Sequence, residues 1–380
     1  MDNKLMKGND AIAEAAMRAG CRFYAGYPIT PQTELPEYLA RNMEKVGGVF
    51  LQAESEIAAI NMVYGAAGAG VRAMTSSSSP GISLKQEGIS YIVGSELPCV
   101  IVNVMRVGPG LGGIQPSQSD YFQAVKGGGH GDYHMIVLTP DGVQEMFDFT
   151  ILAFDLADEY RNPVMLLADG ILGQMMESVV MYMPEKKHFD KSWATTGTEK
   201  KRKHNIINSL YIVPEESEVL NRRLQNKYQV IRDKEQRVEI INPDADIMVV
   251  AFGIVARVAK QAIAELEDEG ISVGLIRPRT VWPFPSKAFE KTAKAYLVTE
   301  LNSGQMVEDV RLEVNGRAPV HFLGKMGGTV LTAQEMKEKV REIDEKIKKM
   351  SEKPERVSTK VRETGKKIKE TAGGVRHAGF

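Results

Sequence analysis

The chain predicts an α/β protein built on doubly wound parallel sheets, and three observations predict it. Runs such as Pro98-Cys-Val-Ile-Val-Asn-Val104, Val164-Met-Leu-Leu-Ala168 and Asp246-Ile-Met-Val-Val-Ala-Phe252 are short and nearly all apolar. They alternate with segments of helical periodicity, the pattern of parallel strands covered on both faces. Gly, Pro and Ser collect just after the strands, at Gly26–Pro31, Ser76–Gly81 and Arg106–Gly113. In an open parallel sheet those loops line the site.

The elements follow in order. Residues 9–20 carry an Asn9-Asp10 start, a periodic Ala/Ile/Met face and a Gly20 stop, a helix. Cys21–Ala25 is a short buried strand leading into the turn Gly26-Tyr-Pro-Ile-Thr-Pro31. Thr33–Met43 is a second helix and Val49–Gln52 a strand. A third helix opens at Glu56, carries Ile57, Ile60, Met62, Val63, Ala66 and Ala67, and is closed by Gly65, Gly68 and Gly70. Val71–Thr75 is a strand running into Ser76–Gly81, and residues 82–94 are helical. Past the strand at 98–104 come two Gly-rich loops, Val107–Gly113 and Gly127–Gly131, then a strand at Met135–Leu138, a long amphipathic helix at Val143–Tyr160 and a strand at Val164–Ala168.

Residues 185–237 are rich in Lys, Arg, Glu and Asn, an exposed connection with one helix at about 214–237. A second α/β unit follows: strand 246–252, helix Ile254–Glu269 with a Gly270 stop, strand Val273–Arg277, a Pro-punctuated turn Pro278–Pro285, strand Ala295–Glu300 and an edge strand His321–Gly324. The last stretch, 333–372, is mostly Lys, Glu and Arg with sparse Met336, Val340, Ile343 and Ile347, one or two solvated helices or disorder, with a partner-wrapping arm as the other reading. The organisation expected is therefore 1–184, a linker 185–240, 241–332, and a charged helical tail 333–380.

Composition narrows the classes. A net charge of −1 over 380 residues gives no electrostatic case for nucleic acid or an anionic membrane. No apolar run approaches the roughly 20 residues needed to span a bilayer, and Met1–Gly8 lacks a signal-peptide apolar core. Cys21 and Cys99 are the only cysteines, too few for an iron–sulfur or zinc site or a disulfide framework. A cytoplasmic protein is expected. The 19 methionines suit a plastic core more than a broad interface.

Several motifs are missing. No Gly-x-Gly-x-x-Gly follows a strand and no Gly-x4-Gly-Lys-Ser/Thr is present; Ala66–Gly70 ends a helix instead of starting one. Ser76–Ser79 lacks the Gly-x-Ser-x-Gly elbow. His130 and His134 stand four apart but among glycines, which favours a loop-stabilising or substrate-facing role over a zinc pair. What remains is a pair of acids, Glu54 and Glu56, at the start of an apolar helix. Residues two apart on a helix point roughly 200° from each other, so at most one faces the core side with Ile60 and Val63. The bland reading is a favourable charge at a helix start; a carboxyl held against an apolar wall at a sheet edge has chemistry to do.

At this point the residues resemble a known family. Tyr27-Pro-Ile-Thr-Pro31, Gln52-x-x-x-Glu56 with Gly65, the strand 98–104, Arg106, and Thr299-Glu-Leu-Asn302 with Gly304-Gln-Met306 are similar to the alpha subunit of 2-oxoacid:ferredoxin oxidoreductases, over roughly residues 6–330. The resemblance implies a pyrimidine-type thiamine-diphosphate-binding domain in 1–184 and a transketolase C-terminal-like domain in 241–332. A beta subunit would hold the diphosphate and Mg2+. Gamma and ferredoxin-like delta subunits would complete the complex, with iron–sulfur clusters on partners, coenzyme A as co-substrate and ferredoxin as electron acceptor. Glu56, preferred to Glu54, would be the carboxyl bonded to the ring nitrogen N1′, with Thr30 near the substrate keto group and Arg106 on its carboxylate. Thr30 could instead cap the helix near Thr33, and Arg106 could be a structural ion pair. Tyr27, Ser77 and Ser78 would line the cofactor pocket, ordinary turn hydroxyls being the other reading of the serines. No metal ligand is expected in this chain, since Asp169-Gly170 lacks the flanks and the Asn of a diphosphate–magnesium motif.

The activity so implied is CoA-dependent oxidative decarboxylation of a 2-oxoacid to an acyl-CoA and CO2. The loop Val107–Ile114 carries no extra cation, which favours a branched-chain acid such as 3-methyl-2-oxobutanoate over 2-oxoglutarate. The alternatives are a non-catalytic assembly or docking subunit and, disfavoured by the missing metal motif, a stand-alone transketolase-like enzyme.

Overall fold

The computed structural model describes residues 2–350. In chain order its elements are β1 (Asp2–Lys7), α1 (Gly8–Arg18), β2 (Phe23–Gly26), α2 (Glu34–Asn42), β3 (Val49–Gln52), α3 (Glu56–Gly68), β4 (Ala73–Ser77), α4 (Ser79–Gly94), β5 (Val100–Met105), α5 (Tyr121–Val125), β6 (Ile136–Leu138), α6 (Val143–Tyr160), β7 (Val164–Asp169), α7 (Gly170–Gln174) and β8 (Met176–Met181). There follow α8 (Pro214–Lys234), β9 (Val238–Ile241), β10 (Ile247–Val250), α9 (Gly253–Glu267), β11 (Val273–Pro278), β12 (Thr280–Trp282), β13 (Ala295–Glu300), α10 (Met306–Val314) and β14 (Val320–Gly324). A last helix, α11, covers 333–350.

Two sheets carry the chain. The larger runs β12-β6-β7-β5-β4-β2-β3, parallel throughout except β12, which lies antiparallel on β6. Its centre, β4, β5 and β7, is buried at every residue, the reason those stretches read as unbroken apolar runs. The second sheet runs β14-β13-β10-β11-β9 and is parallel apart from β9. Ala295–Glu300 matches its expected strand, and β14 is the edge strand foreseen.

The structure departs from the expectations in five places. β1 and β8 pair as an antiparallel ribbon in which Met6, Val179 and Met181 point inward while Leu5 and Met176 stay exposed. Helix α1 starts at Gly8, and Asn9 does not cap it. Its amide instead donates to Pro31 O at 2.8 Å and to the Glu34 carboxylate at 2.9 Å, tying the helix to the Pro turn. Gly65 lies inside α3, and the turn that follows is made at Gly70, with φ +81°. β12 falls within the Pro-punctuated turn and crosses to the first sheet, where Thr139 N donates to Arg279 O at 2.9 Å.

The fifth departure concerns the charged segments. α8 buries Leu220, Leu224, Tyr228 and Ile231, a stripe at helical spacing. α11 is no solvated arm: Met336, Val340 and Ile343 are buried, and Lys337 and Arg341 pair with Glu265 of α9 and with Glu269 in the turn that follows it. Residues 351–380 of the expected tail lie outside the described residues. Among the described residues no helix is long and apolar enough to cross a membrane.

The two sheets meet across a polar seam. Arg277, 2% exposed, is bidentate to Glu145 at 2.8 Å and also bonds Glu239. Asp169 caps α7 through Ile171 N and Leu172 N, both 3.1 Å, and with its other oxygen accepts Ile254 N of α9 at 3.0 Å. Gln118 donates to Phe252 O at 2.8 Å and accepts from Leu301 N at 3.1 Å. Glu300 gathers the Met306 and Val307 amides that begin α10. The Thr299–Met306 segment thus closes the seam against Gln118, whose carbonyl accepts Asn302 Nδ2 at 2.8 Å.

Candidate functional site

The loops after β2, β3, β4, β5 and β7 lie along one edge of the larger sheet because parallel strands all end there. The Pro turn after β2 is held from three sides. Pro31 O accepts Asn9 Nδ2 and, at 2.9 Å, Gln174 Nε2; Gln32, fully buried, accepts the Ser76 hydroxyl of β4; and Ser76 bonds the Tyr24 hydroxyl at 2.7 Å. Tyr27 and Thr30 are left facing out, Tyr27 38% exposed.

After β3 the chain bends at Glu54 and Ser55, and the Ser55 hydroxyl caps α3 by accepting Ala58 N at 3.2 Å. The cap places Glu56 at the first helical position with only 6% exposure, whereas Glu54 is exposed. Of the two acids, one is buried. α4 approaches with a glycine at the contact: a β-carbon on Gly81 would overlap Ser77 Oγ and come within 2.7 Å of Glu56 Oε1. Carboxyl and hydroxyl therefore face each other across a backbone that only glycine allows.

The wall around Glu56 is polar and under-bonded. Ser77 Oγ and its neighbour Ser78 Oγ are enclosed and have no hydrogen-bond partner among the described residues. Each such group costs about 1–3 kcal/mol unless something satisfies it. Lys85, with no exposed surface, donates to Thr75 Oγ1 at 3.1 Å; burial pulls its ammonium down to about 8, against the opposing charge of Glu56. A carboxylate, two free hydroxyls and a dry wall suit a polar heteroaromatic ring that offers both a donor and an acceptor.

At the end of β5, Arg106 is 8% exposed and its guanidinium donates to Thr30 O at 3.0 Å. Among the described residues no ion pair involves Arg106, so the structural-pair reading has no carboxylate to stand on. The Thr30 hydroxyl caps nothing, and α2 has no side-chain cap at all. The Arg106 backbone is pinned by Ser79: its N–H donates to Ser79 Oγ at 3.0 Å, and Ser79 donates to Asp120 at 2.6 Å. Asp120 also accepts Asn103 Nδ2 at 2.9 Å; burial raises its carboxyl above the usual range, opposed by these two bonds. Beside Thr30 opens a cleft of about 780 Å³ lined by Pro31, Ile114, Pro116, Ile171 and Met175, with no Lys or Arg among its described lining residues.

Glu56, Ser77, Ser78, Thr30 and Arg106 are thus brought to one sheet edge, with Tyr27 at its rim. The histidines go elsewhere. His134 stacks on Trp282 with ring centroids 4.5 Å apart, and burial with Arg232 nearby pushes it down to about 4. His130 meets Tyr91 edge-on. Sequence reading missed Lys85, Asn103 and Asp120. For Lys85 a signal existed, since it lies three after Ile82 and four before Ile89 on the apolar face of α4. Nothing in the sequence marks Asp120.

Residues 14–248 match the family model described as pyruvate flavodoxin/ferredoxin oxidoreductase, thiamine diphosphate-binding, and 245–336 match pyruvate:ferredoxin oxidoreductase core domain II. The chain belongs to the 2-oxoacid:ferredoxin oxidoreductases. Within that family it is 50% identical to the ketoisovalerate oxidoreductase subunit VorB of Methanothermobacter thermautotrophicus, covering 90% of this chain and 98% of that one. It is 40% identical to the 2-oxoglutarate synthase subunit KorA of Methanocaldococcus jannaschii, covering 90% and 100%. The 2-oxoglutarate:ferredoxin oxidoreductase of Magnetococcus marinus, solved with 2-oxoglutarate, coenzyme A and succinyl-CoA bound, superposes with a TM-score of 0.80 at 30% identity, over 90% of this chain and 65% of that one. A split-gene transketolase shares the fold alone, with a TM-score of 0.55 at 13% identity.

Proposed function

We propose that this chain is the alpha subunit of an oxidoreductase that decarboxylates a branched-chain 2-oxoacid such as 3-methyl-2-oxobutanoate to its acyl-CoA and passes the electrons to ferredoxin. One observation carries the reading: the buried Glu56 carboxyl faces the Ser77 hydroxyl across Gly81, and among the described residues neither Ser77 nor its neighbour Ser78 has a hydrogen-bond partner. Thiamine diphosphate, when bound, supplies the carbanion that attacks the keto carbon. Glu56 holds the proton shared with N1′ of its aminopyrimidine ring, in a wall dry enough to make that proton transferable. Ser77 and Ser78 hydrogen-bond the ring edge, and Tyr27 closes the rim. Arg106 receives the substrate carboxylate, since its fork is spare and preset by Ser79 and Thr30 O. Thr30 presents its hydroxyl to the keto oxygen.

The cleft beside Thr30 supports a substrate side chain without a second carboxylate, because no Lys or Arg is among its described lining residues and Glu34, which is, pairs with Lys7 and would repel the second carboxylate of 2-oxoglutarate. In this reading 1–184 bind the pyrimidine, 185–240 link, 241–332 form the transketolase-like unit, and 333–380 are the charged C-terminal segment, of which α11 packs on that unit. A beta subunit holds Mg2+ and the diphosphate, gamma and delta subunits complete a cytoplasmic complex, and the iron–sulfur relay lies on partners. The alternative, a non-catalytic docking subunit, gives the two free hydroxyls no purpose. The test is Glu56→Gln in the assembled complex, assayed on a panel of 2-oxoacids with a viologen acceptor. Turnover should vanish with assembly intact, and near-normal turnover would refute the assignment.

A further inference from the structure

Lys85 is the feature that the reading above does not use. A lysine with no exposed surface is rare unless paired, and the hydrogen bond that this one makes is to a neutral hydroxyl, Thr75 Oγ1. It lies on α4 one turn beyond Gly81, the residue that Glu56 Oε1 abuts. Among the described residues the charged group that acts on it is Glu56 of α3, while β4 contributes the Thr75 hydroxyl. Packing alone does not require the charge, since Ile82, Ile89 and Val93 fill the rest of that face of α4.

We propose that Lys85 is a positioning residue for Glu56: its ammonium supplies, from inside the wall, the counter-charge that holds the Glu56 carboxylate facing Ser77. The inference rests on the role given to Glu56 above. A carboxylate is otherwise drawn toward water, and a buried opposite charge nearby restrains it where a hydrogen bond from Ser77 is absent. Burial brings the ammonium close to neutrality near pH 8, so the restraint weakens in an accessible range.

The experiment titrates thiamine diphosphate with Mg2+ into the cofactor-stripped complex between pH 6.5 and 9.5 by calorimetry. Wild type should lose about tenfold in affinity as pH rises through 8, in the range of coupling between contacting groups. Lys85→Gln keeps a donor for Thr75 but no charge. It should bind at pH 7 as wild type does at pH 9, with a flat profile; comparing the two profiles cancels the cofactor's own ionisations. In a Glu56→Gln background, Lys85→Gln should add nothing. Additive effects, or a Lys85→Gln profile that parallels wild type, would overturn the role of Lys85. If Glu56→Gln alone changes neither affinity nor turnover, the reading of Glu56 fails instead. Should Lys85→Gln not assemble, the wild-type profile decides, and a flat one through pH 8 refutes the proposal.

Discussion

Two buried polar clusters of this molecule differ in one respect. At the seam between the sheets, the charges of Arg277, Asp169 and Glu300 are all answered, by Glu145 and Glu239 or by helix N–H groups. At the edge of the larger sheet, Ser77 and Ser78 have no partner among the described residues, the Arg106 fork bonds one neutral carbonyl, Thr30 O, and Lys85 one neutral hydroxyl. A satisfied buried network rigidifies; an unsatisfied one is a cost that a ligand can repay. The seam holds the second unit in place, and the edge awaits chemistry.

Mutations can break that contrast. Glu56→Gln should lower turnover by about 10² to 10⁴, the span of acid–base assistance, with the melting temperature of the complex unchanged. Arg106→Met should raise the KM for the 2-oxoacid by about 10²-fold, the loss of a charge-assisted pair, and an unchanged KM removes Arg106 from the site. At the seam the signs reverse. Arg277→Met should leave KM alone but destabilise by about 3–5 kcal/mol, since it strands buried carboxylates, as read by denaturant midpoints. Ser77→Ala should cost a few-fold in thiamine diphosphate affinity while leaving stability equal or higher by up to about 1 kcal/mol, because a hydroxyl without a partner is removed.

The smallest effect is one of pH. Burial raises Asp169 from 3.8 to about 6 in the folded chain, against its three amide donors. A carboxyl raised on folding favours the native state most below its unfolded value, and that contribution is lost as pH rises through about 6. Wild type should therefore lose stability between pH 4 and 6 relative to Asp169→Asn. Parallel melting curves across that range would show that the seam tolerates the charge in full.

Much of this could be read from the chain alone. The order of strands and helices, the edge position of β14 and the extent of α6 followed from apolar runs and periodicity. Helical spacing allowed only one of Glu54 and Glu56 inward, the family resemblance favoured Glu56, and the fold buries Glu56 while leaving Glu54 exposed. β12 was illegible: three residues between prolines carry no period, and the partner β6 is about 140 positions away. α11 was misread because its buried Met336, Val340 and Ile343 are few among charges, and only α9 beneath it shows what they cover.

By itself the sequence determined which stretches are strands, that their loops collect at one edge, and that a Pro turn and an acidic helix start share it. These are local facts, set by side-chain size, polarity and spacing. The tertiary structure alone decided that Lys85 is buried on α4 one turn from the Gly81–Glu56 contact, that Asp120 and Ser79 set Arg106, and that Ser77 and Ser78 stay unsatisfied. Hydrogen bonding and desolvation depend on what packs within a few ångströms, and those neighbours come from distant parts of the chain.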